Sequence, residues 1–144
     1  TFNTMLSMGC IPIVNENDPV STDELVKFGG NDILSAYVAK LCEADILLNL
    51  SDVDGLFDSD PRKNPNAVLI ERVENIDDVF SMAGGAGTDR GTGGMEAKLT
   101  AAKMVTEAGI PMFIMNGKNP EILYDLLDGK HVGTYFTAKK HAKI

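Results

Sequence analysis

The sequence predicts an α/β fold: a mainly parallel sheet carrying helices on both faces, a three-layer αβα sandwich. Three observations carry that expectation. Short apolar runs alternate with stretches of helical periodicity along the chain, as they do where strands and crossover helices take turns. Polar segments at residues 15–18, 51–54 and 116–119 follow apolar runs directly, as loops do at the carboxyl ends of parallel strands, where ligands bind. A glycine-rich stretch, Gly91-Thr92-Gly93-Gly94, opens into a helical pattern that holds Lys98 close to its start.

Taken in order, residues 1–9 read as the tail of a helix. Phe2, Met5, Leu6 and Met8 supply its apolar side and Gly9 its stop, while no start signal precedes it and there is no initiating Met. The expectation is a piece of a longer protein whose sheet lacks strands. Residues 11–14 form a short buried strand, and residues 20–28 alternate enough for an extended or hairpin excursion. Residues 32–43 are helical, with Ile33, Leu34, Tyr37, Val38 and Leu41 on one face, and residues 46–50 make a strong central strand.

Asp, Pro and Asn make residues 58–65 a loop, residues 68–70 a weak strand and residues 76–82 a helix. The glycine-rich loop spans residues 83–94. Residues 95–108 follow as a helix with Met95, Leu99, Ala102 and Val105 inward, then residues 111–115 as a strand. Pro120 suits a first helical position and starts a helix through Leu127, and residues 132–136 close the sheet as a strand. One domain of 144 residues accounts for all of this, with no internal repeat.

Bulk properties exclude several classes. A net charge of −8 weighs against nucleic acid or an anionic membrane as partner, since both reward basic patches. No apolar run approaches the roughly 20 residues that span a bilayer. Cys10 and Cys42 lack metal-ligand spacing and are expected to be reduced, in keeping with a cytoplasmic setting. His131 and His141 read as surface residues, and the methionines as core. Neither G-x-x-x-x-G-K-[ST] nor a G-x-G-x-x-G after a strand is present, so a P-loop enzyme and a dinucleotide-binding dehydrogenase are unsupported.

The glycine segment carries the sharpest chemical signal. Free N–H groups and the positive dipole end of a helix start attract an anion, and a lysine in the first turn opposes that dipole unless something negative sits nearby. The segment reads equally as a flexible loop capping a surface helix. Asn15-Glu16-Asn17-Asp18 offers donors and acceptors, or a plain Asx-turn. Asn31 and Asp32 open a helix as an ordinary cap and dipole-complementing carboxylate, or fix a polar substrate and orient lysines. Ser51 and Asp52 end an apolar strand as a turn or as nucleotide contacts.

Together, Pro12-Ile13-Val14-Asn15-Glu16-Asn17-Asp18, Gly29-Gly30-Asn31-Asp32-Ile33-Leu34-Ser35-Ala36, Leu50-Ser51-Asp52-Val53-Asp54-Gly55-Leu56-Phe57, Asp60-Pro61-Arg62, Gly91 to Lys98, and Val132-Gly133-Thr134-Tyr135-Phe136 resemble the amino acid kinase family, in family order and over nearly the whole chain. The Asn-Glu-Asn-Asp tetrad favours the branch acting on glutamate over the one acting on N-acetylglutamate. The resemblance implies a carbamate kinase-like fold, here its C-terminal, nucleotide-binding part, residues 1–144. It implies ATP-dependent phosphorylation of the γ-carboxylate of glutamate, the first step toward proline, with Mg²⁺ as cofactor.

Carried over by residue, Asp18, Asn31 and Asn17 are substrate-binding. Ser51 and Asp52 contact the nucleotide, and Thr92, Gly93, Gly94, Met95, Glu96, Ala97 and Lys98 form the phosphate-binding segment. Lys98 and Asp32 are catalytic, the first stabilising the transferring phosphoryl group and the second organising lysines. Where the family carries Asp, this chain has Gly30. The family's first strand, its own glycine loop with a second lysine and a serine gripping glutamate belong upstream of Thr1. The partners implied are therefore glutamate, ATP and the N-terminal half of the same domain, in a homo-oligomeric intact protein; residues 1–144 alone are expected to bind ATP weakly and not to turn over. A different class, a non-catalytic nucleotide-binding or regulatory fragment, is the competing expectation.

Overall fold

In the computed structural model, residues 1–15, 31–84 and 93–139 are described. The elements run α1 (Phe2–Ser7), α2 (Asn31–Leu41), β1 (Leu47–Ser51), β2 (Arg72–Val73), α3 (Ile76–Gly84), α4 (Gly93–Glu107), β3 (Met112–Asn116), α5 (Ile122–Leu127) and β4 (Thr134–Phe136). The four strands form one sheet in the order β1-β3-β4-β2. β1 pairs with β3 and β2 with β4 in parallel, while β3 and β4 are antiparallel. The α/β class with a mostly parallel sheet is as expected.

Strand alternation separates two faces of different character. Asn49, Met112, Ile114, Thr134 and Phe136 are buried on the face that receives α2 and α4. α2 and α4 pack extensively on one another, and α3 packs on α4. The core joins Ile33, Ala36 and Ala39 of α2, Ile76 and Val79 of α3 and Leu99, Ala101, Ala102 and Val105 of α4 to those strands. On the opposite face Phe113 stacks on Tyr135 with ring centroids 4.6 Å apart, and Arg72 lies over the Tyr135 ring.

Several sequence expectations need correction. Residues 11–14 are coil, with Ile13 95% exposed, because among the described residues no strand lies beside them to complete a ladder. The strand expected to be central, β1, is an edge of the described sheet. Residues 68–70 contribute a single antiparallel bridge from Leu69 to Phe57, and pairing with β4 falls instead to Arg72 and Val73.

The buried face of α2 is rotated from the one expected: Ala36 and Ala39 are buried, whereas Tyr37 and Leu41 are exposed. Ile33 is buried as expected, but alanines on both α2 and α4 let the helices approach closely, and Tyr37 and Leu41 are left outside. The helix after Pro120 starts only at Ile122. β4 is interior, between β3 and β2, and runs against β3. The link between them, residues 117–133, carries the short helix α5 and returns the chain to the sheet at the end where it left. The excursion expected at residues 20–28 and most of the glycine loop lie outside the described residues.

Candidate functional site

Topology brings the polar segments to one edge. α2 turns through residues 42–46 into β1, and α4 turns through residues 108–111 into β3. Each helix therefore starts at the edge where β1 and β3 end, the side on which parallel α/β sheets bind ligands.

At that edge Lys98 Nζ donates to Asp32 Oδ2 at 3.1 Å, joining α4 to the first turn of α2. The second oxygen, Asp32 Oδ1, accepts from Asn49 Nδ2 of β1 at 2.7 Å. Both members of the ion pair are mostly shielded, with side chains 15% and 20% exposed, so their attraction is screened less than that of a surface pair. Lys98 reaches this position because helical side chains lean toward the helix N-terminus, which carries the ammonium back toward Gly94 while Ala97 and Leu99 enter the core. An ammonium has three donors; among the described residues Asp32 takes one and Lys98 makes no other bond.

Among the described residues, the start of α4 is open. Gly93 and Gly94 are the first helical residues, so Lys98 stands in the second turn rather than the first. Among the described residues, nothing lies within 4 Å of where a Gly94 side chain would begin. The first four N–H groups of a helix have no partner within it, so the N–H groups of Gly93, Gly94, Met95 and Glu96 can face a ligand on that open side. Met95 is half-buried against the core and the Ala97 side chain is buried, while Glu96 is exposed. A phosphate group fits this combination of free donors, open approach and neighbouring ammonium.

A second polar cluster closes the ends of β1 and β3. Ser51 faces Asn116 in register, Gly117 N–H donates to the Ser51 carbonyl at 2.8 Å, and the Ser51 hydroxyl donates to Asp52 Oδ1 at 3.1 Å. Asn116 Nδ2 donates to Asp54 Oδ1 at 3.0 Å. This cluster and the Lys98–Asp32 pair share the edge. Beside it, an open depression is lined by Asn116, Lys118, Asn119, Ile122 and Asp125.

The loop at residues 58–68 satisfies itself, in keeping with a solvated loop. Asp58 accepts from the Val68 N–H, and Asp60 holds Arg62 through two hydrogen bonds of 3.2 Å. That hydrogen bonding keeps the Asp60 carboxyl below, and the Arg62 guanidinium above, their ordinary ranges.

Of the residues singled out from sequence, Lys98 and Asp32 are in direct contact, Gly93 to Ala97 lie on the same helix, and Asn31 is the exposed first residue of α2. Asn17, Asp18, Thr92 and Gly30 lie outside the described residues. Sequence reasoning missed Asn49, whose signal is a single amide within an otherwise apolar strand; Asn116 was included in the ligand-side segment 116–119 without a role of its own. Among the described residues, no group of three His, Cys, Asp or Glu could hold a metal ion, and no helix is long and apolar enough to cross a membrane. Cys10 and Cys42 are free thiols.

Comparison with known proteins adds to this geometry. Residues 1–116 match the model of the Amino acid kinase family. The glutamate 5-kinase of Clostridium tetani (strain Massachusetts / E88) is 56% identical over 141 residues, covering 97% of this chain and 52% of that protein. The glutamate 5-kinase of Clostridium perfringens (strain 13 / Type A) is 54% identical, covering 97% of this chain and 54% of its own length. The chain thus spans about half the length of the relatives it matches. Among solved structures, an isopentenyl phosphate kinase superposes with a TM-score of 0.64 at 23% identity, over 94% of this chain and 49% of the other. The UMP kinase of Bacillus anthracis superposes with a TM-score of 0.58 at 26% identity, over 77% of this chain and 41% of the other. These two likenesses bear on the fold.

Proposed function

Because this chain belongs to the amino acid kinase family, we propose that it is the nucleotide-binding, C-terminal part of a kinase domain that phosphorylates the γ-carboxylate of L-glutamate with ATP, forming L-glutamyl 5-phosphate. The relatives' names support the substrate, and the share of their length that the chain spans supports the assignment to part of a domain. The observation that carries the reading is the contact of Lys98 with Asp32 beside the open start of α4.

Phosphoryl transfer asks the protein chiefly for positioning and for charge stabilisation on the moving group. The free N–H groups of Gly93, Gly94, Met95 and Glu96, with Thr92 and Ala97 flanking them, orient the phosphates. Lys98 offers its remaining donors to the oxygens on which charge accumulates, and Asp32 keeps its ammonium at that place. Ser51 and Asp52 contact the nucleotide, while Asp18, Asn31 and Asn17 hold glutamate. Mg²⁺ bound together with the nucleotide would supply charge neutralisation on the phosphates. The cytoplasmic setting, the homo-oligomeric state and the inactivity of residues 1–144 by themselves belong to the same reading.

The test is ADP release by the full-length protein with glutamate, N-acetylglutamate or no acceptor. The expected kcat/KM for glutamate exceeds that for N-acetylglutamate by at least about 100-fold. Equal or greater turnover of N-acetylglutamate would move the protein to that branch of the family. Binding of Mg-ATP without turnover of either acid would instead identify a non-catalytic nucleotide-binding protein.

A further inference from the structure

The geometry points to Asn49 as a positioning residue for phosphoryl transfer: by donating to Asp32 Oδ1 it fixes the carboxylate whose other oxygen holds Lys98. The inference rests on the kinase reading above and adds to it a residue of β1 that touches neither phosphate nor acceptor.

Asn49 is only 9% exposed, with Leu47, Leu48 and Leu50 as chain neighbours and Ile114 beside it in register. An amide is costly there unless its hydrogen bonds are met, and a leucine would suit the position better as mere packing. Among the described residues its side chain makes one hydrogen bond, the 2.7 Å contact to Asp32. Among the described residues, the polar chemistry of this strand position is therefore directed at a single carboxylate oxygen.

The terminal torsion of an aspartate is broad and two-fold, so a carboxylate gripped only by Lys98 can rotate and exchange its oxygens. Donors on separate oxygens remove that freedom. Because the lysine stem is long and flexible, the place of Nζ is set by what Asp32 offers it. A neutral donor does this without competing for the lysine's charge, as a second cation would. A purely structural tie between β1 and α2 makes a different forecast: removing it would loosen the fold whether or not Lys98 is present.

The experiment measures kcat, ATP KM and thermal midpoint for full-length Asn49→Leu and Asn49→Ser, and repeats Asn49→Leu in a Lys98→Met background by single-turnover rates. The expected result is a fall in kcat on the order of tenfold for both single variants. The ATP KM should stay within about twofold and the Asn49→Leu midpoint should not drop, since leucine suits the buried strand. In the Lys98→Met background Asn49→Leu should have no further effect, since its action passes through that lysine. Unchanged kcat in both single variants, or the same tenfold loss with Lys98 already removed, would overturn the inference while leaving the kinase reading intact. An unmodified protein without glutamate-dependent turnover would overturn both, and that result is read before any substitution is made.

Discussion

Lys98 and Asp32 lie 66 positions apart in sequence and 3.1 Å apart in space, bridging the second turn of α4 and the first turn of α2, two helices that pack side by side. The aspartate thereby holds an ammonium that would otherwise move freely at the mouth of α4. Replacing it should disturb chemistry more than folding. In the full-length protein, Asp32→Ala is expected to lower kcat by roughly 100-fold, the scale of a misplaced catalytic group, with the far-ultraviolet dichroism unchanged. Steady-state ADP release checks this, and a kcat within a factor of about two of the unmodified protein would count against the role given to Asp32.

Thr134 supplies the fold's most economical polar link. Its fully buried hydroxyl accepts from the Leu56 N–H at 2.8 Å and donates to the Ile70 carbonyl at 2.7 Å, tying the loop after β1 and the segment before β2 to β4. Thr134→Val keeps the shape and leaves a backbone N–H and a carbonyl unsatisfied. The expected destabilisation is about 1–3 kcal/mol, read by denaturant unfolding of the full-length protein. A valine variant as stable as the parent would show that water replaces both bonds.

Gly133 precedes that strand with φ of 61°, and a side chain there would fall on the Ile114 carbonyl oxygen. Gly133→Ala therefore meets backbone strain and a backbone collision together. A loss of about 1–3 kcal/mol or more is expected, seen as a lowered thermal midpoint. Gly129 also has positive φ but open space around it, so Gly129→Ala should lose only the conformational share of that cost.

Much of this architecture was legible from periodicity. The inward positions Leu99, Ala102 and Val105 of α4 were read correctly because a two-faced helix repeats its burial every turn. Lys98 was legible because a cation near a helix start opposes the dipole, whereas Asp32 suits the first turn of α2 and drew notice only as a carboxylate able to orient lysines. The face of α2 was misread because apolar weight favours Tyr37 and Leu41, whereas close helix packing selects the small Ala36 and Ala39. Strand order, the reversal of β4 and the Asn116–Asp54 link depend on which strands meet in space, and local sequence does not carry that information. Asn49 was passed over for the same reason: its meaning lies in Asp32, 17 residues away on another element.

The α3–α4 contact has a pH signature. The hydrogen bond from Lys103 Nζ at 2.9 Å, helped by its charge, holds the Asp77 carboxyl below its ordinary value of 3.8 and raises Lys103 above its ordinary 10.5. A carboxyl depressed in the folded state contributes stability above pH 3.8, and that contribution is lost as pH falls through the lower folded value. The thermal midpoint difference between the parent and Asp77→Asn should thus be constant near neutrality, shrink below pH 3.8 and diminish in high salt because the pair is exposed. A difference that persists unchanged at the acid end would assign it to something other than this ion pair.

The central claim is that the ammonium at the start of α4 meets the phosphates of ATP during transfer to glutamate. Its most direct measurement is kcat for glutamate-dependent ADP release by full-length Lys98→Met, beside the ATP affinity and thermal midpoint of the same preparation. The account predicts a kcat lowered at least about 100-fold in a folded protein, as for the loss of one charge-stabilising donor at a reacting centre. A folded Lys98→Met protein with unaltered kcat and unaltered ATP affinity would contradict it.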